Sequence, residues 1–265
     1  MDIAGYFASV FIGIALGLIG GGGSILTVPV LVYLFSIDAV LATAYSLFIV
    51  GTTSVVGSFS FFKKGLVSIK TAVVFGIPSI ISVFFTRTYI VPGIPEEILS
   101  VGSYTVTKSI LLMLLFAVLM IFASYSMIKK NKNVTEEISQ KQPFNYALVF
   151  VQGIFIGLIT GLIGAGGGFL IIPALVNLLK MPMKTAVGTS LIIIAINSLT
   201  GFVFSLSHTS VDWRFLSTIT LIAIIGILIG GFLSTKIDGK KLKPAFGWFV
   251  LVMGVYIILK EILFN

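Results

Sequence analysis

The sequence predicts an all-α, polytopic membrane protein built from two inverted-topology repeats of about five segments each, with a broken, re-entrant helical hairpin in each half. Three observations carry this: a surface too poor in charge for water, apolar segments of bilayer length, and an internal duplication. Of 265 residues, 57% are hydrophobic and 10% are charged, and the mean hydropathy is +1.16. A water-soluble domain has roughly 25% charged residues, so this surface must face hydrocarbon. That excludes a soluble enzyme, a nucleic-acid binder and a disordered chain. The net charge of +8 fits the excess of Lys and Arg that membrane proteins carry in cytoplasmic loops. Cysteine is absent, which excludes disulfides, thiol catalysis and Cys-based metal sites. The N-terminus lacks a basic n-region and carries Asp2, so it reads as part of the mature fold.

A bilayer core of ~30 Å needs about 20 apolar residues in helical form. Five apolar segments cover 4–19, 24–35, 39–62, 66–90 and 107–129. A polar linker over 130–143 follows, and five more segments cover 144–163, 168–179, 184–207, 214–235 and 243–263. Segments 24–35 and 168–179 are too short to span, since twelve residues rise only about 18 Å. Each follows a glycine cluster, and each contains a proline, Pro29 or Pro173.

The halves are repeats. Placing Phe11 over Phe155, a shift of 144 residues, and sliding to Gly57 over Gly201 gives 20 identities in 47 positions. Shared apolar composition would not align glycines, prolines and serines in one register. The expected units are therefore a first repeat over 1–129, the cytoplasmic linker 130–143, and a second repeat over 144–265. If each short segment returns the chain to its side of entry, Lys and Arg divide 13 to 4 between the two sides; otherwise they divide 9 to 8. The positive-inside rule selects the first count. It places both termini outside and the linker in the cytoplasm, with the halves inserted in opposite orientations, a transporter architecture.

The glycine clusters Gly20-Gly21-Gly22-Gly23-Ser24 and Gly164-Ala165-Gly166-Gly167-Gly168 are the candidate substrate site. Irregular backbone at membrane depth survives only where protein or a watery cavity covers it. A glycine run there exposes N–H groups, and the following helix aims its positive dipole end at the same spot. The competing reading is a tight turn between close-packed helices. On the next segment, Ser46, Thr53 and Gly57 share one helical face, and Ser190, Asn197 and Gly201 repeat the offsets. Thr52, Ser54, Ser198 and Thr200 read as packing residues, while Thr189 joins the site. In the expected arrangement the glycine tips meet near midplane. Backbone N–H groups of Gly22, Gly23, Gly166, Gly167 and Gly168 hold an anion there, and Ser24, Ser46, Thr53, Thr189, Ser190 and Asn197 complete its shell. Arg87 and Lys108 flank an outer loop. Snorkelling to the interface explains both, with Arg87 the candidate for steering an anion. No carboxylate falls mid-segment, and no cofactor or metal is expected.

At these residues the sequence resembles the TauE/SafE family of membrane transporters, often described as sulfite exporters. The resemblance rests on Gly17-Leu-Ile-Gly-Gly-Gly-Gly-Ser-Ile-Leu-Thr-Val-Pro29 and Gly161-Leu-Ile-Gly-Ala-Gly-Gly-Gly-Phe-Leu-Ile-Ile-Pro173. Ala186-Val-Gly-Thr-Ser-Leu191 and Asn197-Ser-Leu-Thr-Gly201 extend it. The first half departs from Gly-Thr-Ser with Ala44-Tyr45-Ser46. The resemblance implies movement of a small sulfur-containing anion, such as sulfite, a sulfonate or sulfoacetate, across a bacterial or archaeal cytoplasmic membrane. The expected function is thus a secondary carrier working by alternating access. A passive anion channel is the first rival. An intramembrane enzyme is the second, disfavoured by one His, no Cys and every Asp near a segment end. An assembly or sensing subunit stays open. The expected partners are the anion and the lipid bilayer, not nucleic acid, and a homodimer is left open.

Overall fold

The computed structural model describes residues 2–20, 23–101, 104–128, 146–177, 179, 181–207, 210–233 and 239–263. The expected linker lies outside these, as does Gly22 of the expected site. Ten helices are described: α1 (Asp2–Ile19), α2 (Ser24–Tyr33), α3 (Ala39–Lys63), α4 (Ile69–Gly93) and α5 (Lys108–Ile128). They continue as α6 (Tyr146–Ile163), α7 (Gly168–Asn177), α8 (Met183–Ser205), α9 (Trp213–Leu233) and α10 (Gly239–Leu263). Six of them, α3 to α6, α8 and α9, contain stretches long and apolar enough to cross a membrane. The chain is an all-α polytopic membrane protein. Its outer surface is apolar, with Phe7, Phe11, Phe59, Phe122 and Phe155 each more than 60% exposed. Such a surface would drive association in water; against lipid it needs no cover.

Helices α2 and α7 have ten residues each and rise only about 15 Å. They are interior elements. In α2, Ser24 to Pro29 and Leu31 are all buried. The helix ends follow local chemistry. The Asp38 carboxylate accepts from Val40 N at 2.8 Å and Leu41 N at 3.3 Å, capping α3. Ser68 caps α4 by accepting from Thr71 N. Asp212 caps α9 by accepting from Arg214 N and Phe215 N. These bonds satisfy N–H groups that have no partner within the helix.

Packing repeats under the same 144-residue shift. Helix α1 lies on α9 with glycine against backbone: a Cβ at Gly13 would meet Ala223 O and come within 2.8 Å of Gly226 Cα. Helix α6 lies on α4 in the shifted register, Gly157 meeting Ser79 and Ser82. Further along, Gly17 abuts Gly230 and Gly161 abuts Thr86. Small residues let the helices approach this closely. The crossing of α3 and α8 obeys the shift as well. Gly57 meets Leu191 and Ile227, and Gly201 meets Leu47 and Val83. Two apolar clusters correspond in the same way, Leu31, Ala42, Ile49 and Ile219 answering to Leu175, Ala186, Ile193 and Phe75.

Two features depart from the sequence reading. An antiparallel hairpin, β1 (Glu97–Val101) with β2 (Tyr104–Thr107), precedes α5; the run Tyr104-Thr105-Val106-Thr107, one aromatic and three β-branched residues, favours strand. The last turn of the expected segment, Thr86–Ile90, is a π turn in which Val91 N donates to Thr86 O, and helix α4 runs on from it to Gly93. Pro92 follows immediately. It lacks an N–H and its ring clashes with the carbonyl four residues before it, so a regular α ladder cannot run through this turn.

Candidate functional site around the second glycine loop

The loop between α6 and α7 ends one helix and starts the other within the interior. Gly164, Gly166 and Gly167 have φ of +72°, +66° and +69°, a region that L side chains rarely adopt. Gly164 N donates to Thr160 O at 2.9 Å and closes α6. Gly20 ends α1 in the same conformation, at φ +76°. The two glycines find equivalent neighbours in the opposite half: Gly164 lies on Thr43, and Gly20 lies on Val187.

Each glycine of the second loop touches a different wall. A Cβ at Gly166 would stand 2.8 Å from the Ser198 hydroxyl, 2.7 Å from Val50 Cγ1 and 3.1 Å from Ile194 Cγ2. That places the loop tip at the crossing of α3 and α8, where Gly51 faces Leu199. A Cβ at Gly167 would fall on the Thr160 hydroxyl. Ser198 and Thr160 are buried, and neither hydroxyl has a hydrogen-bond partner among the described residues. Helix α7 starts at Gly168 beside these hydroxyls; Leu170 N and Ile171 N already donate to Gly167 O, which leaves the N–H groups of Gly168 and Phe169 as the ones without an intrahelical acceptor. Gly164 to Phe169 are all buried.

The expected shell is partly redistributed. Ser46 is buried with an unpartnered hydroxyl. It shares a helical face with Val50 and Ser54 at four-residue steps, the face that meets the loop. Ser54 is also buried and unpartnered. Val50 is the α3 residue that meets the tip of the second loop, with Ser46 and Ser54 one turn to either side of it, while Gly57 meets Leu191 and Ile227. Thr53 turns its hydroxyl back to Ile49 O at 2.6 Å, and Ser190 turns to Val187 O at 2.8 Å. Thr189 accepts from Ser68 N at 2.9 Å. Its counterpart Tyr45 accepts from Asp212 N at 2.7 Å. Both hydroxyls join the halves, so the departure from Gly-Thr-Ser preserves the bond. Asn197 donates to Ser79 Oγ at 2.6 Å, while its Oδ1 is buried and unpartnered. Gly168 and Ser24 are buried first residues of α7 and α2. Gly23 packs on the α1 backbone at Ile12 and Leu16, the tight-turn role.

The expected space between two glycine tips is apolar on one flank. Ala165 and Phe169 pack in one cluster with Ile25, Leu26 and Val28 of α2. Polar groups gather instead toward α3, α4 and α8. Ser198 and Ser54 were readable as a repeated identity, yet a lone serine in an apolar helix carries no sign of where it points. Thr43 and Thr160 had no such signal.

Arg87 does not reach the surface. It is 3% exposed, inside the π turn, and Nη1 donates to Thr43 Oγ1 at 3.0 Å. Nε and Nη2 are buried without a partner, and no ion pair to Arg87 forms among the described residues. Neither snorkelling nor steering from outside describes it. Lys108 is buried too, 3.5 Å from Glu96. Elsewhere, a cavity of about 500 Å³ lies near Asp38, Ser109, Lys260 and Glu261. Its carboxylates are engaged, Asp38 by Ser109 at 2.6 Å and Glu261 by Tyr33 at 2.7 Å.

Comparison with known proteins agrees with this architecture. The family model described as sulfite exporter TauE/SafE matches residues 6–257. A "probable membrane transporter protein" of Xylella fastidiosa (strain 9a5c) is 29% identical over 255 residues, covering 93% of this chain and 91% of that one. The "probable membrane transporter protein YunE" of Bacillus subtilis is 28% identical, covering 91% and 89%. The "probable membrane transporter protein MJ0441" of Methanocaldococcus jannaschii is 25% identical, covering 94% and 92%. No solved structure gives a significant match.

Proposed function

Because this chain belongs to the sulfite exporter TauE/SafE family, a family of membrane transporters, we propose that it is a secondary carrier for a small sulfur-containing oxyanion. Sulfite, a sulfonate or sulfoacetate would cross the cytoplasmic membrane by alternating access. The observation that carries this reading is the second glycine loop. Its tip meets the unpartnered hydroxyls of Ser198 and Thr160 at the start of α7. Hydroxyl donors and a helix N-terminus suit an oxyanion, and an anion there would satisfy groups otherwise buried at a cost.

Burial of the whole loop favours a carrier over an open pore, since an anion reaches it only if helices move. The shared 144-residue register of helix packing supports two structural repeats, 1–129 and 144–265, interleaved through the α1–α9 and α4–α6 contacts, so alternating access would move bundles that each draw helices from both repeats. Export is the direction that needs no co-ion. An inside-negative potential contributes about 2.3 kcal/mol per elementary charge per 100 mV.

Purified protein in liposomes, assayed for flux of sulfite, sulfate, thiosulfate, sulfoacetate and acetate with and without a pH gradient, tests the reading. Saturable flux with counter-transport is expected for the sulfur oxyanions. Non-saturating conductance would indicate a channel, and absence of flux for every anion would overturn the reading.

A further inference from the structure

The nitrogens of Arg87 divide into two groups. Nη1 donates to Thr43 Oγ1 at 3.0 Å, and Thr43 donates in turn to Val40 O at 2.7 Å. This chain fixes the plane of the guanidinium from one side. Nε and Nη2 form the other edge, buried and without a partner among the described residues. That edge presents two parallel N–H vectors, a fork that matches two oxygens of one carboxylate, sulfonate or sulfite.

A buried cation with no counter-charge is costly. Among the described residues its one hydrogen-bond partner is a neutral hydroxyl and no carboxylate pairs with it. The fold nevertheless holds it inside. Around the π turn, Phe84, Phe85 and Tyr89 face outward while Thr86 and Arg87 are buried. A neutralising ligand accounts for this where a purely structural role does not.

We propose that the Nε–Nη2 edge of Arg87 is an oxyanion-binding site, taking two oxygens of one small anion side-on. The inference rests on the carrier reading above and names how its cargo is recognised. The site adjoins the second glycine loop through Thr43, on which Gly164 packs. Thr43 is seven residues before Val50 on α3, which puts the site about 10 Å from the loop tip along that helix. It is also one-sided. Under the 144-residue shift Arg87 corresponds to Gly231 and Thr43 to Val187, so the carrier has one such fork and its two access states are chemically unequal.

The test is thermal stabilisation of the detergent-purified protein by sulfite, methanesulfonate, acetate and chloride at constant ionic strength. The three oxyanions should stabilise saturably, and chloride, which has no two-oxygen edge, should not. Arg87→Lys keeps the charge and loses the fork; it should weaken oxyanion binding about tenfold or more. Thr43→Val puts at this position the residue found at 187, and should weaken binding about threefold by releasing Nη1. It carries the test if Arg87→Lys does not fold. Wild-type affinity in both variants, or chloride stabilising as well as sulfite, overturns the site. Sulfite flux with unaltered KM in Arg87→Lys liposomes does so too, while leaving the carrier reading intact. Wild-type protein that binds oxyanions but passes none leaves the site standing and removes the carrier reading.

Discussion

The backbone N–H of Ser68 donates to the Thr189 hydroxyl at 2.9 Å, joining the cap of α4 to the first turns of α8. The bond from Asp212 N to Tyr45 OH at 2.7 Å is its image under the 144-residue shift. Two different side chains, a threonine and a tyrosine, thus do one job. Thr189→Val should lower the thermal midpoint by leaving the Ser68 N–H without its acceptor, a loss of about 1–3 kcal/mol. Tyr45→Phe should do the same at Asp212. Apparent oxyanion affinity should not change in Thr189→Val; a KM that rises while the midpoint holds would return Thr189 to the substrate shell.

Ser198→Ala separates function from packing by the sign of its effect. Its hydroxyl is buried and unpartnered, so removing it should leave stability unchanged or slightly raise it. If the hydroxyl meets the anion, KM should rise roughly three- to tenfold in the same variant. A destabilised protein with normal KM would mark Ser198 as structural.

Glycine interfaces should respond in matching pairs. Gly13→Ala and Gly157→Ala each force a Cβ against the backbone of the partner helix, and each should cost at least about 1–3 kcal/mol by overpacking. Gly76→Ala meets nothing within 4 Å. It should stabilise α4 by roughly 0.5–1 kcal/mol through helix propensity. Size-exclusion profiles after graded heating read all three.

The absence of native cysteine makes single-cysteine labelling clean. Ser36 and Lys64 are both exposed, at opposite ends of α3. The positive-inside rule puts Ser36 outside and Lys64 inside. An impermeant maleimide should therefore label Ser36→Cys in intact cells and Lys64→Cys only after permeabilisation. The reverse pattern would invert the proposed orientation.

Much of the candidate site was legible where chemistry is local. Gly164 and Gly20 stand out because the left-handed turn that closes α6 and α1 strongly favours glycine. Ser46 and Gly166 follow from the repeat itself. What spacing did not resolve is where each hydroxyl points. Thr53 and Ser190 satisfy themselves on their own backbone, an option open to any helical serine or threonine, and sequence spacing cannot tell such a hydroxyl from one aimed at a neighbour.

By itself the sequence determined the solvent, the helix count and the register. Hydropathy, helix length and a 144-residue identity pattern are properties of the chain that hold before any helix meets another. Only the tertiary structure decided which polar atoms lack partners. Arg87 reads from sequence as a snorkelling cation near a loop. A π turn ahead of Pro92 and the approach of α3 instead enclose it with Thr43. Whether a side chain is satisfied depends on what other helices bring within about 3 Å of it, and that information is spread over residues far apart in the chain.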